Sequence, residues 1–303
     1  MLLFQSISLL FFLLFLTAVS SLNKNIHVFF ALGYENEHED GQYLQWNHPI
    51  LPHHLSTVSA QYPQIGTNHS PPSILHSTYY PLKGPYSSKS YDTLLQQFNE
   101  INIGSCSIVV LSWWGRDHSS SDNIYAGPID NAVKDLMKAA DDHGQIKVIF
   151  HLEAYSGRSI DSIYDNIHYL IDSYSHYESF YLDDSMRIPM FYISHFSEIP
   201  SHDWLRLLSN QGDLSVRNTT YDAFFIGLWH SSDHGVALRD SGFDGAYTYY
   251  ASDGASYGAT SDNWGHICEF CRDSDMMCIL SVGPGYNDTG IRPWNKSSIR
   301  ARE

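Results

Sequence analysis

Cysteine is scarce in this chain: there are four cysteines among 303 residues, Cys106, Cys268, Cys271 and Cys278. Four thiols are too few for a fold that depends on a framework of disulfides. Cys268 and Cys271 have the spacing of a metal-ligand pair, but no second pair accompanies them, so a structural zinc site is not predicted. Cys106 and Cys278 each lie inside an apolar run, which predicts buried free thiols.

Basic residues are also few, because 17 Lys and Arg stand against 33 Asp and Glu, giving a formal net charge of -16. A chain this acidic is repelled by nucleic acid and by anionic membrane surfaces, so neither is expected as a partner. A neutral or cationic ligand fits the charge better. Aromatic residues make up 14% of the chain, enough to stack on sugars as well as to fill a core.

The only long hydrophobic run lies near the N-terminus, where residues 9–16 are followed by the small residues Ala18 and Ser20. This pattern favours a secretory signal peptide over residues 1–20. The alternative is a signal anchor that stays in the membrane, but the run is shorter than the roughly 20 residues of a membrane span. A lumenal or secreted protein is also indicated by four N-glycosylation triplets, which begin at Asn68, Asn218, Asn287 and Asn295.

Seven short apolar segments alternate with helical patterns along the rest of the chain: residues 26–32, 107–114, 146–155, 188–194, 223–229, 245–251 and 277–282. Strands separated by helices predict an α/β fold with a parallel sheet. The length suits a single (β/α)8 TIM-like barrel of about 250 residues, expected here over residues 26–303. Seven strands are one short of closure, so we expect an incomplete barrel, truncated at its C-terminal side, or an open sheet.

The third segment, residues 146–155, contains the first candidate site residue. Its apolar first half predicts a strand that is buried on both faces. In its second half His151, Glu153 and Tyr155 alternate with apolar residues, so all three are expected on the same side of the strand. Parallel α/β folds bind ligands at the C-terminal ends of their strands, which makes Glu153 a site candidate. The alternative is a structural ion pair with a basic residue such as Arg158.

Several motifs, in a fixed order from about His27 to Asn295, resemble the glycoprotein endo-α-1,2-mannosidases of glycoside hydrolase family 99. They are Trp46-Asn-His-Pro49, Phe150-His-Leu-Glu153, Gly242-Phe-Asp-Gly245 with Tyr247-Thr-Tyr249, and Ser281-Val-Gly-Pro-Gly-Tyr286 through Ile291-Arg-Pro-Trp-Asn295. No single motif is specific; their order and spacing carry the resemblance.

The resemblance implies a (β/α)8 barrel in the Golgi lumen that trims glucosylated high-mannose N-glycans. Such an enzyme cuts an internal α-1,2-mannosidic bond, retains the anomeric configuration and releases a disaccharide. The resemblance implies neither a metal nor another cofactor, and we expect a monomer. A retained N-terminal segment would attach the protein to the Golgi membrane, and a secreted protein is the alternative location.

Carried over position by position, the resemblance implies sugar contacts from six residues: Tyr34, Trp114, Glu153, Tyr247, Tyr249 and Arg292. An indole such as that of Trp114 offers a flat face to a pyranose ring. Glu153 and Arg292 can form charge-assisted hydrogen bonds with sugar hydroxyls.

The chain departs from the family pattern at three places. Trp113-Trp-Gly-Arg116 replaces Trp-Tyr-Pro-Pro, which puts the outermost subsite in doubt, and Ser194-His-Phe-Ser197 replaces Tyr-Asp-Ser-Tyr. The family's catalytic carboxylates lie in an Asn-Glu-Trp-His-Glu-Gly segment downstream of the Arg-Pro-Trp-Asn motif, and this sequence ends before it. No catalytic residue is therefore assigned, and we expect this chain to be inactive. A glycan-binding protein without catalysis is the alternative.

Overall fold

The computed structural model describes residues 23–116, 126–249, 253–283, 285–296 and 299–300. Its centre is one sheet of seven parallel strands that follow each other in chain order. The strands are β1 (Asn23–Phe30), β2 (Cys106–Trp113), β3 (Lys147–Leu152), β4 (Met190–Ile193), β5 (Phe224–Leu228), β6 (Gly245–Tyr247) and β7 (Met277–Ile279). The predicted α/β class and the incomplete (β/α)8 TIM-like barrel with seven strands are confirmed.

One helix follows each of the first six strands. These helices are α1 (Tyr91–Ile103), α2 (Ala126–His143), α3 (Ile160–Tyr174), α4 (Ser201–Leu208), α5 (His234–Asp240) and α6 (Trp264–Asp273). A long loop separates β1 from α1 and contains two single-turn helices, Glu37–Asp40 and Ser56–Ser59. Among the described residues, no helix is both long and apolar enough to cross a membrane. The predicted signal segment, residues 1–20, lies outside the described residues.

Local signals set several of the helix ends. Ser159 and Ser162 form a capping box at the start of α3. Ser90 occupies the cap position of α1, but its side chain makes no capping hydrogen bond. After α2, Gly144 has a φ of 75°, a left-handed conformation that glycine adopts without strain.

Two hydrophobic cores lie on opposite faces of the sheet. The larger core fills the space between sheet and helices, and includes Phe98 of α1 and Phe150 of β3. The smaller core fills the barrel interior with the inward-facing side chains of β2 to β6, namely Ile108, Val110, Ile149, Met190, Tyr192, Ile226, Leu228 and Tyr247. Within the described residues β1 pairs with β2 alone and β7 with β6 alone, so the sheet is open between them.

The sequence predicts that Cys278 and Cys106 are buried free thiols, and neither prediction holds in full. Cys278 lies within β7, as expected, but it forms a disulfide with Cys268 of α6 instead of remaining a free thiol. The last turns of α6 and the next strand bring the two Cα atoms within 5.2 Å of each other, a distance that suits a disulfide. Cys271 is free and buried, and Cys106 is free and only partly buried.

An arginine holds together three segments at the N-terminal edge of the sheet. The Arg217 guanidinium donates to the backbone oxygens of Leu208 and Gly242 at 3.1 and 2.9 Å. It also pairs with Asp222 at 3.2 Å and Asp244 at 2.9 Å, and its side chain is only 12% exposed. The end of α4 and the segments before β5 and β6 are thereby held together by a largely buried charge.

Candidate functional site

Glu153 is the first residue after β3, at the C-terminal edge of the sheet. Its backbone N–H donates to the carbonyl oxygen of Trp113 at 2.9 Å, which carries the pairing of β2 and β3 one step beyond the strand. Because Leu152 belongs to the outer core, the neighbouring Glu153 faces the barrel interior. Its side chain is 17% exposed, so the carboxylate is partly accessible from the mouth of the barrel.

The surroundings of Glu153 favour its ionised form. Burial opposes ionisation, but the neighbouring His151, Ser112 and Ser194 outweigh it, so the pKa of the carboxyl lies below its usual value. His151 Nδ1 lies 3.0 Å from the Glu153 carboxylate, a close electrostatic contact that is not aligned as a hydrogen bond. Glu153 is therefore a carboxylate at neutral pH.

Arg158 is not the partner of Glu153. Its guanidinium donates to the backbone oxygens of Ser194 at 2.8 Å and His195 at 2.7 Å, and it lies 3.4 Å from the Glu198 carboxylate. The partner that the structure gives to Glu153 is His151, from the same strand. The predicted structural ion pair with Arg158 is therefore wrong.

Tyr155 does not join the inward-facing row. Its hydroxyl donates to Ser162 Oγ at 2.7 Å and accepts from Asn166 at 2.9 Å, so its side chain lies against α3. The strand ends at Leu152, and the two-residue period that predicted the position of Tyr155 ends with it. This part of the prediction is wrong.

The two candidate tyrosines of the sixth segment occupy different depths. Tyr247 ends β6 inside the barrel, where it is only 1% exposed and its hydroxyl lies 2.7 Å from His151 Nε2. Tyr249 is 52% exposed, and its ring centre lies 5.5 Å from that of Phe29. Partial burial and the charge of Glu153 raise the pKa of Tyr249, which stays a neutral phenol beside the carboxylate. Tyr249 is thus placed to contact a ligand, and Tyr247 supports the site from below.

Arg292 is held by a carboxylate that the sequence did not single out as a site residue. Asp288 accepts from Arg292 Nη1 at 3.0 Å, from the Tyr286 hydroxyl at 2.8 Å and from the Asn295 amide at 3.0 Å. Burial and the Asp288 contact raise the pKa of Tyr286 to about 12, and Tyr249 adds to this effect. Electrostatic contacts thus connect Glu153 with Tyr249, and Tyr249 with Tyr286 and its neighbour Arg292.

Tyr34 lies in an aromatic cluster of the long first loop. Its ring centre is 4.4 Å from that of Trp46 and 5.8 Å from that of His76, with which it is stacked at 19°. His76, together with Tyr79, Tyr286 and Asp288, lines a cavity of about 310 Å³. Through His76, Tyr34 borders a cavity that is also lined by Asp288, the hydrogen-bond partner of Arg292. His76 was missed by the sequence reasoning because no pattern marks it among 17 histidines.

Trp114 directly follows the end of β2. It is partly buried and packs against the outer core, whereas Trp113 is fully buried and its indole N–H donates to Asp130 at 2.9 Å. Part of the Trp114 indole remains accessible at the C-terminal edge of the sheet. Within the described residues, no cluster of three or more His, Cys, Asp or Glu side chains could hold a metal ion.

His76 gives the protein a testable dependence of stability on pH. Burial and the nearby His48 and His69 lower the pKa of His76 to about 4. Between pH 6.5 and about 4 the unfolded chain therefore binds a proton that the folded chain does not, so stability falls as the pH drops through this window. Because the ring is partly exposed, we expect a loss of about 1–2 kcal/mol.

Replacing His76 by phenylalanine keeps a ring against Tyr34 and removes the titration. Urea unfolding at several pH values should then show that the free energy of unfolding falls less at acid pH for His76→Phe than for the wild type. Replacing the exposed His202, which lies on α4, should leave this pH dependence unchanged. The same pH dependence for His76→Phe and the wild type would contradict the assignment.

A TIM-like barrel with an ionised glutamate and aromatic side chains at the C-terminal edge of its sheet has the features of a carbohydrate-binding protein. Comparison with known proteins specifies the family. The sequence model of glycosyl hydrolase family 99 matches residues 21–303, and the chain belongs to this family.

Curated relatives agree with this assignment. The chain is 38% identical over 284 residues to the glycoprotein endo-alpha-1,2-mannosidase of Mus musculus, and covers 60% of that protein with 93% of its own length. It is 37% identical over 285 residues to the glycoprotein endo-alpha-1,2-mannosidase-like protein of Danio rerio, of which it covers 63% with 93% of its own length. The chain thus spans about three fifths of the length of these relatives.

A solved structure is similar to the whole described fold. The GH99 endo-alpha-mannosidase of Bacteroides thetaiotaomicron superposes with a TM-score of 0.81 at 30% sequence identity. The match covers 93% of this chain and 78% of the bacterial chain. The family resemblance that the sequence motifs indicated is therefore confirmed.

Proposed function

We propose that this chain binds α-mannose-containing oligosaccharides as the barrel of an endo-α-1,2-mannosidase. The observation that carries the proposal is the ionised Glu153 at the C-terminal end of β3, with Tyr249 beside it and Arg292 connected to Tyr249 through Tyr286. A carboxylate, phenols and a guanidinium offer both acceptors and donors to sugar hydroxyls. The remaining acidity of the chain does not oppose such a ligand, because the ligand is uncharged.

The substrate that we propose is a glucosylated high-mannose N-glycan, cut at an internal α-1,2-mannosidic bond with retention of configuration. The proposal is supported by the similarity to the glycoprotein endo-alpha-1,2-mannosidase of mouse and the endo-alpha-1,2-mannosidase-like protein of zebrafish, and by the motifs that surround the site residues. It places the protein in the secretory pathway, in the Golgi lumen or on the Golgi membrane.

Cleavage needs more carboxylates than the described mouth supplies. Glycoside hydrolysis uses an acid together with a base or nucleophile on the two sides of one bond. Asp288 already accepts hydrogen bonds from Tyr286, Arg292 and Asn295, so it is not available for proton transfer. At this mouth Glu153 then stands without a second free carboxylate among the described residues. We therefore propose that the 303-residue chain binds glycan without cleaving it, which is also what the alternative, a glycan-binding protein, requires.

The test compares binding and cleavage on one substrate. The chain is incubated with a glucosylated high-mannose oligosaccharide, affinity is measured by calorimetry, and released disaccharide is measured by chromatography. We expect binding without release. Release of disaccharide would contradict the proposed inactivity and identify this chain as an enzyme, while the absence of both binding and release would overturn the proposed function.

A further inference from the structure

Directly below Glu153, a histidine and a tyrosine form a sealed polar pair inside the barrel. The His151 side chain is 3% exposed and its ring is surrounded by aromatic rings, with Phe29 at 5.4 Å and Tyr247 at 5.6 Å between centroids. The Tyr247 hydroxyl lies 2.7 Å from His151 Nε2. The other ring nitrogen, Nδ1, lies 3.0 Å from the Glu153 carboxylate.

The direction of the hydrogen bond between Tyr247 and His151 follows from which group carries a hydrogen and which group can accept it. Burial raises the pKa of Tyr247 far above its usual value, so its hydroxyl keeps its hydrogen. Among the contacts of the described residues, His151 Nε2 is the one acceptor within reach of that hydroxyl. A buried hydroxyl that finds no acceptor is unfavourable, so Tyr247 donates and Nε2 accepts.

Acceptance at Nε2 places the ring hydrogen of His151 on Nδ1. A neutral imidazole carries one hydrogen, and a bare Nε2 leaves it on the nitrogen that faces Glu153. Nδ1 has no aligned hydrogen-bond partner among the described residues, so the carboxylate 3.0 Å away is the negative group that it meets.

We infer that His151 is a positioning residue, which Tyr247 holds in the Nδ1-protonated form and which fixes the Glu153 carboxylate in the cleft. One oxygen of Glu153 contacts His151, so the orientation in which the carboxylate meets a ligand hydroxyl depends on that ring. This reading rests on the proposed function only for the identity of that ligand. Tyr247 lies deep in the barrel, and its role is to hold His151 rather than to contact the ligand.

Histidine-selective ¹⁵N labelling tests the inference without any ligand. Two-bond ¹H–¹⁵N correlation spectra distinguish the two tautomers and the imidazolium, and the His151 signals are those that vanish in His151→Asn. At pH 7 we expect Nδ1 protonated and Nε2 bare, and we expect Tyr247→Phe to remove this preference. An Nε2-protonated ring or an imidazolium at pH 7 in the wild-type protein would overturn the inference.

Titration of the Glu153 carboxyl by ¹³C NMR tests the positioning itself. The titratable groups that face this carboxyl are His151, Tyr247, Tyr249 and Arg158. His151→Leu should raise the pH at which Glu153 titrates, whereas His151→Asn, whose amide can replace the Nδ1 donor, should restore most of the wild-type value. Equal titration of Glu153 in all three proteins would sink the assignment.

Affinity for a mannose oligosaccharide gives the functional readout. We expect about a tenfold loss for His151→Leu and less than about a threefold loss for His151→Asn. Equal losses in the two variants would contradict positioning by a hydrogen-bond donor. If the wild-type protein binds no glycan at all, the proposed function fails, but the tautomer and the Glu153 titration still decide the role of His151.

Discussion

Replacing Glu153 by glutamine should weaken the binding of a mannose oligosaccharide by about 30- to 100-fold, because hydrogen bonds to a charged group contribute about 2–3 kcal/mol. Glutamine has nearly the same shape and can still contact His151, so the fold should be unchanged. Isothermal titration calorimetry at pH 7 measures the effect. Because the pKa of Glu153 lies below its usual value, the contribution of its charge to ligand binding is fully present above about pH 5. This contribution is lost as the pH falls through the lowered pKa of Glu153 in the folded protein.

Glu178→Gln is the matched control for this substitution. Glu178 is exposed and precedes β4 at the opposite edge of the sheet, where its backbone oxygen accepts from Lys147. The control also removes one negative charge but should leave the affinity unchanged. Comparable affinities for Glu153→Gln and the wild type would remove Glu153 from the binding site.

Replacing Arg217 by alanine should lower the free energy of unfolding by about 3–5 kcal/mol, the range for breaking a buried ion pair. The substitution leaves the Asp222 and Asp244 carboxylates without their cation, and strands the backbone oxygens of Leu208 and Gly242. Urea unfolding at pH 7 gives the value from the shift in midpoint. Such a loss is a large part of the total stability of an ordinary domain.

Arg206 provides the comparison within the same region of the chain. It pairs with Asp213 at 2.8 Å and with Asp161 at 3.4 Å, but all three side chains are in contact with solvent. Arg206→Ala should therefore leave the urea midpoint nearly unchanged, because exposed ion pairs contribute little. Similar midpoints for Arg217→Ala and Arg206→Ala would show that the buried network is not what stabilises this edge. Arg217→Lys should fall between them, since lysine cannot form the forked contacts of arginine.

Apolar periodicity predicted the strands of the fold. It indicated seven segments, and all seven form strands of the parallel sheet. The strand ends were less predictable, because apolar residues continue past the last backbone pair: residues 245–251 were expected as a strand, but β6 ends at Tyr247. Side chains beyond that point follow loop contacts rather than the two-residue period, as Tyr155 also shows.

The candidate site was predictable where it lies on strands and less so where it depends on loops. Glu153 could be found from its place at the end of a buried segment. The role of Asp288 depends on hydrogen bonds to Tyr286, Arg292 and Asn295, none of which a periodic pattern encodes. The Cys268–Cys278 disulfide was missed for a similar reason, since pairing depends on the distance between two elements and not on either sequence alone.

The loops at the mouth of the barrel have a consequence for the order in which the protein folds. The indole N–H of Trp294 donates to the backbone oxygen of Leu51, 243 residues earlier in the chain, and Thr78 donates to Asn287 across 209 residues. Contacts between such distant positions close only after large losses of chain entropy, whereas the pairings of neighbouring strands close shorter loops. The strand pairs should therefore assemble first, and the loop that contains Arg292 should pack against the first loop last. A refolding chain then acquires its secondary structure before it acquires affinity for a ligand.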